Sequence, residues 1–242
     1  MTAIVEVIEV SKSFGGFNAV TDVSFELFDD EVTGLVGSNG AGKTTMLNLL
    51  YGRLPVTMGR VKFDGEDITE LPADARVRRG LGMVFQHTTV FPDIGVRENL
   101  QLGAQRKLRG ADPSSPAEID GILEMTGLLD RQYELASNLS HGEQQWLEIG
   151  MVLLCKPSML LLDEPTSGMT RAEALRMADM CRRLIEERTV RSVVVVEHNI
   201  DFIRRVSSRV LVMHRGTIIA AGTIDEVQHD QGVRDAFLGR MA

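Results

Sequence analysis

The sequence predicts an α/β chain: a mainly parallel sheet covered by helices, with an antiparallel β part at the N-terminal end and an inserted α-helical subdomain. Three observations predict it. Strand-length apolar runs alternate with helix-length stretches, the order that builds a parallel sheet. A glycine-rich segment, residues 37–42, joins a short apolar strand to a helix. Between residues 86 and 155 the apolar spacing becomes helical and the strands stop.

The elements follow from their own patterns. Ile4–Val10 alternates in part, Val23–Phe28 alternates apolar and polar side chains, and Val32–Val36 is short and apolar. A helix is expected from Lys43 to about Tyr51. Pro55, Gly59 and Gly65 mark turns between short strands, and residues 81–85 form a further strand. Asn99, Leu100, Leu102, Ala104 and Leu108 suggest one helix; Ile119, Leu123, Met125, Leu128 and Leu129 suggest a second. The segment between, RGADPSSPAE at 109–118, reads as a surface loop. Strands return at Met159–Asp163, Val193–Glu197 and Leu211–Met213, with a helix at about 172–187. Val210–Met213 and Thr217–Ala220 flank a hairpin loop, and Thr223 with Glu226 forms a capping box for a final helix. Residues 1–242 therefore read as one domain, with 1–85 and 156–242 as its core and 86–155 as the inserted subdomain.

Composition narrows the function classes. The chain has 242 residues, 43% hydrophobic and 25% charged, with a net charge of −8. An acidic chain is repelled by nucleic acid and by anionic lipid, so no nucleic-acid partner is expected. The two cysteines, Cys155 and Cys181, form no metal-binding or disulfide pattern, which fits a reducing cytosol. MTAIVEVIEV lacks the basic and apolar regions of a signal peptide. No apolar run approaches the roughly 18 residues of a membrane span. Any membrane part must come from another subunit.

The chemistry starts at Gly37-Ser38-Asn39-Gly40-Ala41-Gly42-Lys43-Thr44-Thr45, a match to G-x-x-x-x-G-K-[ST] between a strand and a helix. Glycines let successive N–H groups converge on phosphate oxygens, and the helix start adds its positive dipole end. Lys43 reaches the β- and γ-phosphates, and the Thr44 hydroxyl is a Mg2+ ligand. Asp163 and Glu164 close an apolar strand. Beside such a loop, Asp163 holds Mg2+ and Glu164 polarises the attacking water; alone, the pair would be an ordinary polar strand end. Ser140 and Glu143 read as a capping box opening a long apolar helix. That helix start also offers Ser140 and the Gly142 N–H to a phosphate, and since the chain's own phosphate loop already serves one nucleotide, the expected phosphate is a second molecule's.

These motifs, in the order phosphate loop, Gln86, LSHGE, LLLLDEPTSGM, VVVEHN, resemble an ABC-transporter nucleotide-binding subunit along the whole chain. FGGFNAV, HTTVFPDIGVRENL and DEPTSGMT resemble the subfamily serving uptake of branched-chain amino acids and urea. LSHGEQQWLEIGMVLL and VQHDQGVRDAFLGR are most similar to the urea-type subunit. The resemblance implies a RecA-like P-loop NTPase fold and ATP with Mg2+ as ligands. It also implies a second ATPase subunit, multi-span permease subunits, and indirectly a solute-binding protein outside the membrane. The location implied is cytoplasmic, peripheral on the inner face of the cell membrane. Residue by residue, it makes Phe14 the aromatic that stacks on adenine and Gln86 the glutamine that touches Mg2+ or the water and senses the permease. It makes His198 the histidine at the γ-phosphate, with Lys43 and Glu164 beside it in catalysis. Residues 86–99, with Val90 and Phe91, are the expected permease contact.

The sequence departs from the family pattern at two places. LSHGE replaces LSGGQ, so His141 stands for a glycine and Glu143 for a glutamine. Glu143 weakens ATP unless it turns away to cap the helix; Gln144 or Gln145 is a possible substitute. Thr170 stands where many relatives have Asp. Trp146 reads as a core residue or a partner contact. Two other readings stand beside a transporter subunit. One is a soluble ABC ATPase of assembly, repair or translation; the other is a P-loop GTPase or kinase, for which no NKxD-like guanine reader exists.

Overall fold

A computed structural model describes residues 2–104 and 115–238, with the side chains of the final helix described to residue 236. In chain order its elements are β1 (Ala3–Phe14), β2 (Phe17–Phe28), β3 (Glu31–Gly37), α1 (Lys43–Tyr51), β4 (Met58–Phe63), β5 (Glu66–Asp67), α2 (Ala73–Arg78), β6 (Leu81–Val84), α3 (Val96–Ala104), α4 (Pro116–Thr126), α5 (His141–Leu154), β7 (Met159–Asp163), α6 (Arg171–Glu186), β8 (Ser192–Val196), α7 (Ile200–Val206), β9 (Arg209–His214), β10 (Thr217–Gly222), α8 (Ile224–His229) and α9 (Gln231–Leu238). Two short 3-10 turns, Leu129–Arg131 and Ala136–Asn138, lie between α4 and α5.

Two sheets form. β2-β1-β4-β5 is antiparallel throughout. β10-β9-β3-β8-β7-β6 is parallel except for the β9–β10 hairpin. The parallel strands are buried on both faces, which is why they read as unbroken apolar runs rather than as an alternation. Their side chains still divide with period two. Leu160, Leu162, Val193 and Val195 join one apolar cluster with α3–α7; Met159, Leu161, Val194 and Val196 join another with α1 and the antiparallel sheet.

The expected elements are present with shifts that have local causes. β8 stops at Val196 because Glu197 turns its carboxylate to the Thr166 N–H and hydroxyl. Part of the expected 109–118 loop is helix: Ser115 and Glu118 form a capping box and Pro116 opens α4. Leu108 and residues 109–114 lie outside the described residues. α6 starts at Arg171 because Thr170 caps it with Glu173. Three short helices, α2, α7 and α9, have too few residues to show a period and were not expected. Among the described residues no helix is long and apolar enough to cross a membrane.

Candidate functional site

The site lies where β3, β7 and β8 end. After Gly37 the backbone turns through Gly40 and Gly42, both left-handed, at φ 77° and 104°. A Cβ on Gly42 would sit 2.5 Å from the Ala19 carbonyl oxygen, so only glycine fits there. The β9–β10 loop supports the turn from behind, the Gly216 N–H donating to the Ala41 carbonyl at 2.9 Å.

Lys43 is buried and donates from Nζ to the carbonyls of Gly37 (2.9 Å) and Ser38 (3.2 Å). Burial lowers its pKa, while Glu164 and then Asp163 oppose the shift. The Thr44 hydroxyl donates to Asp163 Oδ1 at 3.3 Å. Asp163 is itself buried, and desolvation pushes its carboxyl upward against the Thr44 bond. A long hydroxyl–carboxylate contact at a buried acid is the donor chemistry that suits a hard cation. Among the described residues no group of three or more His, Cys, Asp or Glu could hold a metal. A cation between Thr44 and Asp163 would complete its shell with phosphate and water oxygens, the habit of Mg2+.

Glu164 is a left-handed non-glycine residue, φ 49°, and its N–H donates to the Val196 carbonyl at 2.9 Å. Its half-buried carboxylate accepts from the Gln86 amide at 2.8 Å. His198 is exposed, with Nδ1 3.6 Å from Glu197 Oε2. Glu197 is fully buried and also accepts the His198 N–H. Sequence reasoning passed over Glu197, although an acid ending an apolar strand was the signal used for Asp163. Phe14 is 45% exposed at the β1–β2 turn, with the Lys12 ammonium 5.1 Å from its ring centroid.

The LSHGE segment is set apart. Ser140 is exposed and caps α5, accepting the Glu143 N–H at 3.3 Å. Glu143 does turn back: its Oε2 accepts the Ser140 N–H and hydroxyl, both at 2.8 Å. Arg131 grips the same carboxylate with contacts of 2.6 and 2.7 Å. Partial burial works against ionisation of Glu143, but the Arg131 and Ser140 hydrogen bonds outweigh it and hold the pKa below the ordinary value. Gly142 is buried; a Cβ there would meet Glu173 at 3.2 Å. Gln144 donates to the Ala136 carbonyl, and Gln145 is fully buried, so neither stands free to replace the family glutamine. Trp146 is a core residue at 3% exposure. The fold thus brings Lys43, Thr44, Gln86, Asp163 and Glu164 together, with no hydrogen bond from the helix-start pair, Ser140 and Gly142, to the phosphate loop among the described residues.

Comparison with known proteins agrees with this geometry. Residues 20–167 match the family model described as ABC transporter. The high-affinity branched-chain amino acid transport ATP-binding protein LivG of Escherichia coli is 31% identical over 240 residues, covering 93% of this chain and 94% of LivG. BraG of Pseudomonas aeruginosa, a protein of the same description, is 33% identical over 232 residues, covering 96% and 97%. The ADP conformation of an ATP-binding cassette of an ABC transporter superposes with a TM-score of 0.86 at 28% identity, covering 99% of this chain and all of that one. A phosphate loop, a buried strand-end acid beside its threonine, and these matches across the chain lead to one conclusion: the protein belongs to the ABC transporter family, as one of its ATP-binding subunits.

Proposed function

We propose that the chain hydrolyses ATP to drive an importer for branched-chain amino acids, urea or short amides. The Gln86–Glu164 contact beside Lys43, Thr44 and Asp163 carries the reading, because it sets a carboxylate at the strand ends where a γ-phosphate would lie. The backbone N–H groups of residues 38–43 and the Lys43 ammonium hold the phosphates, and Phe14 offers its ring face to adenine. Thr44 and Asp163, with Gln86 nearby, would hold Mg2+, which neutralises charge on the transferred phosphoryl group. Glu164 accepts a proton from the attacking water, and His198 steadies the γ-phosphate side.

Ser140 and Gly142 of a second subunit cover the same nucleotide, so ATP binding closes a dimer and hydrolysis releases it. Support comes from the helix start at Ser140 having no hydrogen bond to its own phosphate loop among the described residues. A related ATP-binding cassette is dimeric with ADP and phosphate bound, at 26% identity and a TM-score of 0.82. Residues 86–155 act as the signature subdomain, and 86–99, with Phe91 48% exposed, meet separate permease subunits. The subunit then sits in the cytoplasm, against the inner face of the membrane, and serves a solute-binding protein only through the permease.

Phosphate release from ATP and Mg2+ by the purified chain, with GTP as competitor, tests the chemistry. Preferential turnover of ATP is expected, and none under any condition refutes it. Co-purification with a multi-span membrane protein tests the importer reading; a soluble ATPase would come alone.

A further inference from the structure

One cleft has no part in this scheme. It lies where α4, α5 and α6 meet and has a volume of about 390 Å3. Met125, Met180 and Leu184 give it apolar walls over Trp146. The Arg176 guanidinium stands 5.2 Å from the Trp146 ring centroid, and its hydrogen bond to the Thr126 carbonyl is long, 3.4 Å. No carboxylate lies within ion-pair distance of Arg176 among the described residues. Asp179, one turn along α6 from Arg176, and Glu187 at the far end of that helix also line it, each beside an arginine on the surface, Arg205 and Arg183. Beneath Arg176, the buried Trp146 indole N–H has no acceptor among the described residues. Buried indole donors ordinarily find a partner, and an orphaned donor costs free energy.

We propose that this cleft binds a zwitterionic α-amino acid with an apolar side chain. The cleft offers one group for each part of such a molecule. Arg176 takes the carboxylate through paired N–H donors, moving off the ring so that the Trp146 N–H shares it. Asp179, one turn from Arg176, faces the ammonium, and Met125, Met180 and Leu184 receive the hydrocarbon. The volume lies within the range of small-molecule sites, with apolar walls and a few placed polar groups. The regulatory meaning rests on the function proposed above: an importer of apolar amino acids would carry a sensor of its own product. α6, which lines the cleft, is joined to the Asp163–Glu164 strand end by residues 165–170, the proposed route from the cleft to the hydrolytic residues.

Equilibrium dialysis of labelled L-leucine against the full chain, up to about 10 mM, tests the site. Trp146 is the only tryptophan, so its emission reports the same cleft. Saturable binding of one leucine per chain with a change in emission is expected, and isoamylamine, which lacks the carboxylate, should not compete. Arg176→Gln, at an exposed position, should weaken binding about tenfold or more. Gly121→Leu, at a rim position with open space around its Cα, should block the cleft while leaving Arg176 in place. No saturable binding, effective competition by isoamylamine, or unchanged affinity in both variants overturns the proposal. ATP binding measured on the same sample separates the two ideas. A chain that binds ATP but not leucine loses only the cleft; one that binds leucine but not ATP loses only the ATPase reading.

Discussion

Gln86 and Glu164, which follow neighbouring strands β6 and β7, are joined by a 2.8 Å hydrogen bond from amide to carboxylate. The loop that begins at Gln86 is thus joined directly to the Glu164 carboxylate. The same loop is tied further along to α5, where the Thr89 hydroxyl donates to Glu148 at 2.7 Å.

Replacing Glu164 by Gln keeps the shape but removes the proposed base. ATP hydrolysis should fall about 100-fold or more while ATP affinity stays within a few-fold. Phosphate release and fluorescent-nucleotide binding measure the two; undiminished turnover removes Glu164 from its role.

Ser140→Ala removes both the α5 cap and the hydroxyl proposed to meet a second subunit's nucleotide. Stability should drop by about 1 kcal/mol, the usual worth of a serine cap. Hydrolysis should fall much further than that loss explains, with binding of ATP to the chain's own phosphate loop intact. Equal losses in both would reduce Ser140 to a cap.

Glu148 is buried with Oε2 unpartnered among the described residues, and desolvation raises its pKa above the ordinary 4.5 despite the Thr89 bond. Below the unfolded value both states are protonated and the fold loses nothing. As pH rises through the folded value, the unfolded chain gains by ionising and stability declines. Glu148→Gln should therefore raise the melting temperature at pH 8 more than at pH 5, by roughly 2–4 °C. Parallel melting profiles for the two proteins would show that Glu148 does not titrate in this range.

Arg76 donates to four carbonyls, those of Leu49, Leu50, Thr69 and Leu71, and so caps the end of α1 from within the core. Burial lowers its pKa to about 10, with Asp67 and then Glu70 opposing. It stays charged at neutral pH. Arg76→Met orphans those carbonyls and should cost about 3 kcal/mol or more, a fall of roughly 6–12 °C in melting temperature. A smaller shift would mean that water replaces the guanidinium.

The parts legible in sequence were those whose chemistry is local. The loop from Gly37 to Thr45 has its residues in one turn, and the β7 acids follow a run that is apolar because both its faces are buried. What escaped was assembled from distant segments. Arg131 reaches Glu143 across a turn of irregular chain, Arg76 serves a helix 26 residues earlier, and Arg191 ties Asp29 to Asp64. None has a spacing that a periodic reading could detect. The sequence did present Glu143 and Ser140 as a capping box, and that reading explains how a glutamate is accommodated in place of glutamine.

The left-handed turn at Glu164 leaves its backbone hung on the last residue of β8, two positions before His198. Both side chains thus share a single mount. If the strand tilts as subunits open and shut, acid and imidazole ride together like two fingers of one hand. On the proposed dimer cycle, their mutual spacing would be kept while their aim toward the other subunit changes.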